Sequence, residues 1–408
     1  MKTLLMPSTT IPVTPEERSA RRPIGRDAEA YHSMLTGYER LAHWADGLGF
    51  DAFGSTEHHF QTEGGESVPN NLLLYAKLAA RTEQIMFVPL SIILPAHNPI
   101  SVAEDIALFT HMFPDRLGVG FARGYQTRWM QTLAQDESVS AFQPGADDRN
   151  REIFDEYLSL VERAWDEDSF HHDGKHFQVP FPATGIPNWP VADWTRAYGG
   201  PGEVDADGTV RRVGVLPKPL RRPQIFIPTV GSPATAIESA RKGRTLLHSG
   251  NRDLLRTAAD LYRDSAREHG RDLRLGQGIG AVRKIVIGDT FDEAFDLAVR
   301  TSGYWFQNFF QEFGINEGLR TPDDDPHRMM RLEDARALTR RMYEAGGLFC
   351  GTADQVRDQV EELRNTCGGE LDWLVWEFWA QALPGEEAAE IQHHQLRTYA
   401  EQIMPACT

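Results

Sequence analysis

The chain has 408 residues, 41% of them hydrophobic, and carries 42 basic against 59 acidic side chains for a formal net charge of −17. A field of that sign repels nucleic acid and anionic membrane surfaces, so a phosphate-bearing ligand has to be held by local cations and backbone amides. Three cysteines, Cys350, Cys367 and Cys407, are too few and too late for a disulfide framework or a clustered metal motif. No run is apolar enough to span a bilayer and no export signal is convincing, so the expected location is a reducing cytoplasm.

Strand-like and helix-like stretches alternate along the chain, the pattern of βα units around a parallel sheet. Residues 2–8 read as the first strand and 29–48 as its helix. Strand 50–55 is followed by helix 69–81, and strand 85–94 by helix 99–113, which has a proline in its first turn where the missing N–H costs nothing. Strand 116–121 precedes a helix from about 149 to 165. Later units pair 224–230 with 233–241, 244–248 with 252–269, 281–287 with 291–310, and 371–378 with 386–404. Eight strand candidates favour a closed α/β barrel, a (β/α)8 TIM barrel, over an open doubly wound sheet. Two stretches break the rhythm, at about 169–223 and about 314–331, and read as insertions in one domain spanning 1–408. The first is long for a connection and is expected to shape a substrate pocket. The second, rich in Pro, Asp and Arg, reads as a mobile lid.

In such barrels the loops after the strands build the active face, and Glu57-His58-His59-Phe60 falls after the second strand. Successive side chains of an extended segment point to opposite sides. One histidine therefore enters the mouth, and His58 is the expected one; near neutrality an imidazole shuttles a proton or donates to developing negative charge. HExxH spacing is absent, adjacent histidines on a strand diverge, and no metal site is expected here. His171, His172 and His176 read as part of a hairpin around Asp173-Gly174. After the fourth strand comes Gly118-Val119-Gly120-Phe121-Ala122-Arg123-Gly124. Its glycines allow close backbone approach, and Arg123 offers a fork for phosphate or carboxylate; a surface salt bridge is the plainer reading. Gly231-Ser232-Pro233-Ala234-Thr235 lies at a helix start, where first-turn N–H groups favour an anion. An ordinary N-cap by Ser232 also explains it fully, and the two readings are compatible. Arg151, at the start of the helix after strand four, offers a second cation; an ordinary surface arginine is the plainer reading.

Taken together with Ile92-Ile93-Leu94-Pro95, His97-Asn98-Pro99 and Val102-Ala103-Glu104-Asp105, these segments resemble the bacterial-luciferase-type flavin monooxygenases, continuously over about 35–125 and in patches afterwards. The resemblance implies a (β/α)8 barrel binding reduced FMN at its C-terminal face. It implies that His58 lies near the flavin and the oxygen, and that Arg123, Arg151, Ser232 and Thr235, with Gly231 in the same turn, hold the FMN phosphate. Leu90-Ser91 would occupy a non-proline cis peptide beneath the isoalloxazine. The implied reaction is oxygenation of a small organic substrate by O2 through a C4a-peroxyflavin, in a dry pocket to which Phe60, Trp129 and Trp305 contribute. No dinucleotide fingerprint is visible, so the reduced flavin would come from a separate NAD(P)H flavin reductase. A homodimer is expected by the same resemblance. The reactive cysteine that bacterial luciferases carry beside this arginine is replaced by Ala122, so light emission from an aldehyde does not follow. A deazaflavin (F420)-dependent dehydrogenase on the same barrel and a non-catalytic flavin-binding partner subunit are the alternatives.

Overall fold

The structure, a computed structural model, describes residues 1–137, 139, 146–325 and 327–407; position 326, within the second insertion, lies outside them. It divides into two compact units, Met1–Ile92 with Gly118–Gly120 and Gln224–Thr408, and Ile93–Leu117 with Phe121–Pro223.

The first unit carries the barrel. Its strands are β1 (Lys2–Pro7), β2 (Ala52–Ser55), β3 (Met86–Pro89), β4 (Val119–Ala122), β5 (Ile225–Thr229), β6 (Thr245–His248), β7 (Ile279–Ile287) and β8 (Trp373–Phe378), one for each strand expected from the sequence, except that the last two residues of β4, Phe121 and Ala122, fall in the second unit. Parallel pairing runs β1–β2–β3 and β4–β5–β6–β7–β8, and β8 returns to β1 from Lys2↔Trp373 to Pro7↔Phe378. The Gly118 N–H donates to the Phe87 carbonyl at 2.9 Å, which links β3 to β4 and completes the ring. Strands covered on both faces read as apolar runs, and alternate residues fill the bore. Leu4, Met6, Ala52, Val88, Phe226, Leu247, Trp373 and Val375 form the inner core, with Val282 and Leu90 packed against it. Trp376, on the opposite face of β8, packs on Phe50, Phe378 and Tyr399.

The structure departs from the expected elements in several places, two of them near the barrel strands. The helix expected over 291–310 is broken into Phe291–Ala298, a π-type turn Val299–Gly303 and Tyr304–Asn308. Here Thr301 turns its hydroxyl back onto the Leu297 carbonyl at 2.7 Å, and hydroxyl back-bonding of this kind bends helices. A ninth strand, Leu348–Gly351, pairs with the distal half of β7 and leads into helix Ala353–Thr366, capped by a Thr352/Gln355 box. The stretch expected as a lid is tied down: Asp324 pairs with Arg341 at 2.7 Å, and the Glu317 carboxylate accepts from the Met330 N–H at 2.7 Å.

The second unit centres on helices Pro99–Met112 and Ala146–Asp166, joined by the Trp165 indole donating to the Ala103 carbonyl at 3.0 Å. The expected hairpin is present, with His172↔Val179 and Asp173↔Gln178 paired antiparallel. Its His172 faces Glu156 at 3.0 Å. Trp129, expected at the substrate cavity, is instead core of this unit, with Met130, Val139 and Ile153.

Candidate active site

At the C-terminal end of β2 the chain turns sharply through Glu57 to Val68. His58, 6% exposed, has its N–H bonded to the Val68 carbonyl. Its Nδ1 lies 3.1 Å from Glu66 Oε2 and 3.5 Å from the Thr56 hydroxyl. Glu66 takes a left-handed backbone conformation, φ 45°, which aims its carboxylate back at the imidazole; its own N–H donates to Thr10 Oγ1 at 3.2 Å. Thr10 is tied in turn to Ser8, at 2.6 Å, and to Gln381. His59 engages Glu57 at 3.0 Å instead. The two histidines therefore serve different carboxylates, as the alternation of an extended segment requires.

Leu90–Ser91 is a non-proline cis peptide, where the resemblance put one. The Leu90 side chain lies over two glycines. A Cβ on Gly54 would come within 2.7 Å of the Val88 carbonyl, and one on Gly120 within 2.5 Å of the Pro89 carbonyl and 3.0 Å of Ser91 Oγ. At these two positions the absence of a side chain is what lets the turn seat.

Sequence reasoning missed an ion pair at the top of the bore. Lys284 and Glu377 are register partners on β7 and β8, each two residues beyond an inward-facing valine, Val282 and Val375. Lys284 Nζ and Glu377 Oε2 are 2.7 Å apart and largely buried. The ammonium lies 3.9 Å from the Phe306 ring centroid, and the Trp379 indole donates to the other carboxylate oxygen at 3.2 Å. Trp379 packs on Trp305, Phe306 and Phe310. Gly65 is flush with Trp305, where a Cβ would meet the ring at 2.7 Å, so the loop carrying Glu66 lies against this aromatic wall. Trp305 is thus placed as expected, whereas Phe60 is 45% exposed. The signal for the pair was period-2 spacing from the apolar core positions.

The turn after β5 shows the expected N-cap. Ser232 caps helix Pro233–Lys242 by accepting from the Thr235 N–H, and the Ser232 N–H donates to Thr229 Oγ1 at 3.1 Å. The cap uses Ser232 Oγ as acceptor, which leaves the hydroxyl hydrogen to donate elsewhere. Gly231, Ser232 and Thr235 are only half-buried. This donor set fits a phosphate.

Arg123 and Arg151 belong to the second unit. There Asn150, fully buried, donates its side-chain amide to the Arg123 carbonyl at 3.2 Å, so one residue joins the segment carrying Arg123 to the helix carrying Arg151. Gly124 that follows has φ 78° and lies against Met130 and Ile93, a position closed to any side chain.

A parallel eight-stranded barrel with an imidazole–carboxylate pair and an anion-suited turn at the C-terminal ends of its strands has the form of a (β/α)8 enzyme. The luciferase-like monooxygenase family profile matches residues 23–369, and the chain belongs to this family of oxidoreductases. It is similar to 3,6-diketocamphane 1,6-monooxygenase of Pseudomonas putida, 28% identical over 141 residues, which span 34% of this chain and only 37% of that relative's length. It is also similar to 2,5-diketocamphane 1,2-monooxygenase 1 of the same organism, 24% identical over 339 residues covering 81% of this chain and 83% of the relative. Among solved structures, the FMN complex of the oxygenating constituent of 3,6-diketocamphane monooxygenase from P. putida superposes with a TM-score of 0.70 at 20% identity, over 99% of this chain and 98% of that one; at that identity the likeness establishes the fold. Among the described residues no helix is long and apolar enough to cross a membrane.

Proposed function

We propose that the chain is an FMN-dependent monooxygenase that uses reduced FMN and O2 to oxygenate a small organic substrate, working as one luciferase-like domain over residues 1–408. The observation that carries this reading is the buried His58–Glu66 pair at the end of β2, in a chain of this family. Reduced flavin, when bound, supplies the electrons that activate dioxygen at its C4a carbon. The protein's part is to bind, orient and manage protons. Leu90 and Ser91 would seat the isoalloxazine, and Gly231, Ser232 and Thr235 would hold its phosphate; Arg123 and Arg151 are assigned to phosphate by the family resemblance alone. Glu66 holds the His58 ring through Nδ1, and the imidazole so oriented would exchange a proton with the reacting oxygen. The aromatic wall of Trp305, Phe306 and Trp379 excludes water and seats the apolar body of the substrate. A separate NAD(P)H flavin reductase supplies the flavin, and the enzyme acts as a cytoplasmic homodimer.

The test is stopped-flow mixing of anaerobic protein, preloaded with reduced FMN, against oxygenated buffer, with free reduced FMN and Arg123→Ala alongside. The expected result is an oxygen-dependent spectral phase that free flavin and the variant lack, with less hydrogen peroxide released. Oxidation indistinguishable from free flavin, together with tight binding of a deazaflavin, would replace this reading with hydride transfer.

A further inference from the structure

His248 and Arg283 lie on β6 and β7, on the face opposite the bore. Their neighbours Leu247 and Val282 pack into the inner core, so alternation turns these two outward. His248 is the register partner of Ala281, which places it beside Arg283 on the same face. Both are fully buried. The Arg283 Nη1 donates to the carbonyls of Val282, at 2.7 Å, and His248, at 3.4 Å. Its Nε and Nη2 have no hydrogen-bond partner, and neither does either ring nitrogen of His248 nor the buried Nε of Arg252.

Nε and Nη2 are the two donors that point the same way from one side of a guanidinium, the side that chelates a single acceptor. In Arg283 that side is buried, with no acceptor among the described residues to receive it. The charged groups that act on it are Arg252, at the start of helix Arg252–Glu268, and the Cys367 thiol, at the end of helix Ala353–Thr366. Among the described residues no carboxylate pairs with it. Arg252 is already paired with Glu362. Burial pulls the Arg283 guanidinium down to about 10 and, with the Arg283 charge, pulls His248 to about 3. At neutral pH the arginine is therefore charged and the imidazole neutral, with one N–H to give. Burial pushes the Cys367 thiol up to about 11, so it supplies no counter-charge.

A buried, uncompensated charge is too unfavourable for a folded interior to keep. Water satisfies donors but leaves the charge standing. One monovalent anion satisfies both. Both side chains are fully buried, and a monatomic ion is the smallest anion that could satisfy them.

We propose that Arg283 and His248, with Arg252, form a buried site for a small monovalent anion of the size of chloride, behind β6 and β7 and outside the flavin-binding face. The site is structural: the ion fixes the outer faces of two neighbouring strands to the helices that cover them.

The measurement is thermal unfolding of the whole protein at constant ionic strength, replacing gluconate stepwise by chloride or bromide, together with anomalous diffraction from crystals grown in bromide. The expected result is a saturable rise in Tm of several degrees with either halide, lost in Arg283→Met, and an anomalous peak within hydrogen-bond reach of Arg283 Nε and Nη2. A Tm indifferent to halide, with only water-like density beside Arg283, overturns the proposal. If Arg283→Met does not fold, the bromide map of the unaltered protein decides alone. Neither outcome bears on the flavin reading, because the site takes no part in it.

Discussion

His58 earns its role from its partner more than from its type. A lone buried histidine fills a core; one whose Nδ1 is held by Glu66, itself anchored through Thr10 to Ser8 and Gln381, has a ring fixed in orientation. We expect His58→Asn to lower oxygenated product per flavin oxidised by roughly 10²–10⁴-fold while FMN affinity stays within a few-fold; an equal loss of both would make His58 a flavin-binding residue. The histidine was legible in the sequence because two adjacent ones after a strand must diverge. Glu66 was not, because its reach depends on a left-handed residue in an irregular loop that no periodicity announces. Lys284 and Glu377 make a different case. Removing one member of a buried pair leaves the other charge unpaired, at a cost of up to about 3–5 kcal/mol, whereas removing both is often neutral. We therefore expect Lys284→Met to lower Tm and the double variant with Glu377→Leu to recover it. If turnover returns with Tm, the pair is scaffolding; if Tm recovers and turnover does not, the ammonium acts on the substrate.

Among the elements, the turn between β5 and helix Pro233–Lys242 carries two duties at once. Ser232→Ala removes an N-cap worth about 1 kcal/mol and the hydroxyl proposed to donate to phosphate, so on that proposal it should weaken FMN binding by more than the small drop in Tm explains. Ser232→Gly, which retains most capping at the cost of a few tenths of a kcal/mol, separates the two: its affinity should fall as far as that of Ser232→Ala while its Tm stays close to the parent's. Gly120→Ala tests the seat beneath Leu90–Ser91. A methyl 2.5 Å from the Pro89 carbonyl has to displace backbone, and overpacking of this kind costs about 1–3 kcal/mol, read as a lower Tm and lost flavin affinity together. The barrel strands were readable as short apolar runs between turn residues. Strand Leu348–Gly351 escaped, since four residues between two polar helices give period analysis too little to work on. The break at Val299–Gly303 escaped for another reason: the sequence there keeps helical spacing, and the kink comes from side-chain hydroxyls and from the close approach of Gly303 to Ala335.

For the whole molecule, stability should follow the protonation of buried His248. Its folded value, about 3, lies below its unfolded value of about 6.5. Between these the unfolded chain binds the extra proton, so stability is complete above pH ~6.5 and falls as pH drops toward 3, at up to about 1.4 kcal/mol per pH unit. Measured by urea unfolding in halide-free buffer, that slope should shrink in His248→Leu; an unchanged slope would assign acid sensitivity to other groups. The pairing of Lys2 to Pro7 with Trp373 to Phe378 reaches further. A nascent chain offers β1 to the solvent early, with β2 on one flank, and its other flank stays an open sheet edge until β8 has left the ribosome. Such edges recruit neighbouring chains. Synthesis of this protein therefore has a long vulnerable interval that ends only when the last strand zips the first, and a chaperone that shields β1 during it would raise yield without touching the finished enzyme.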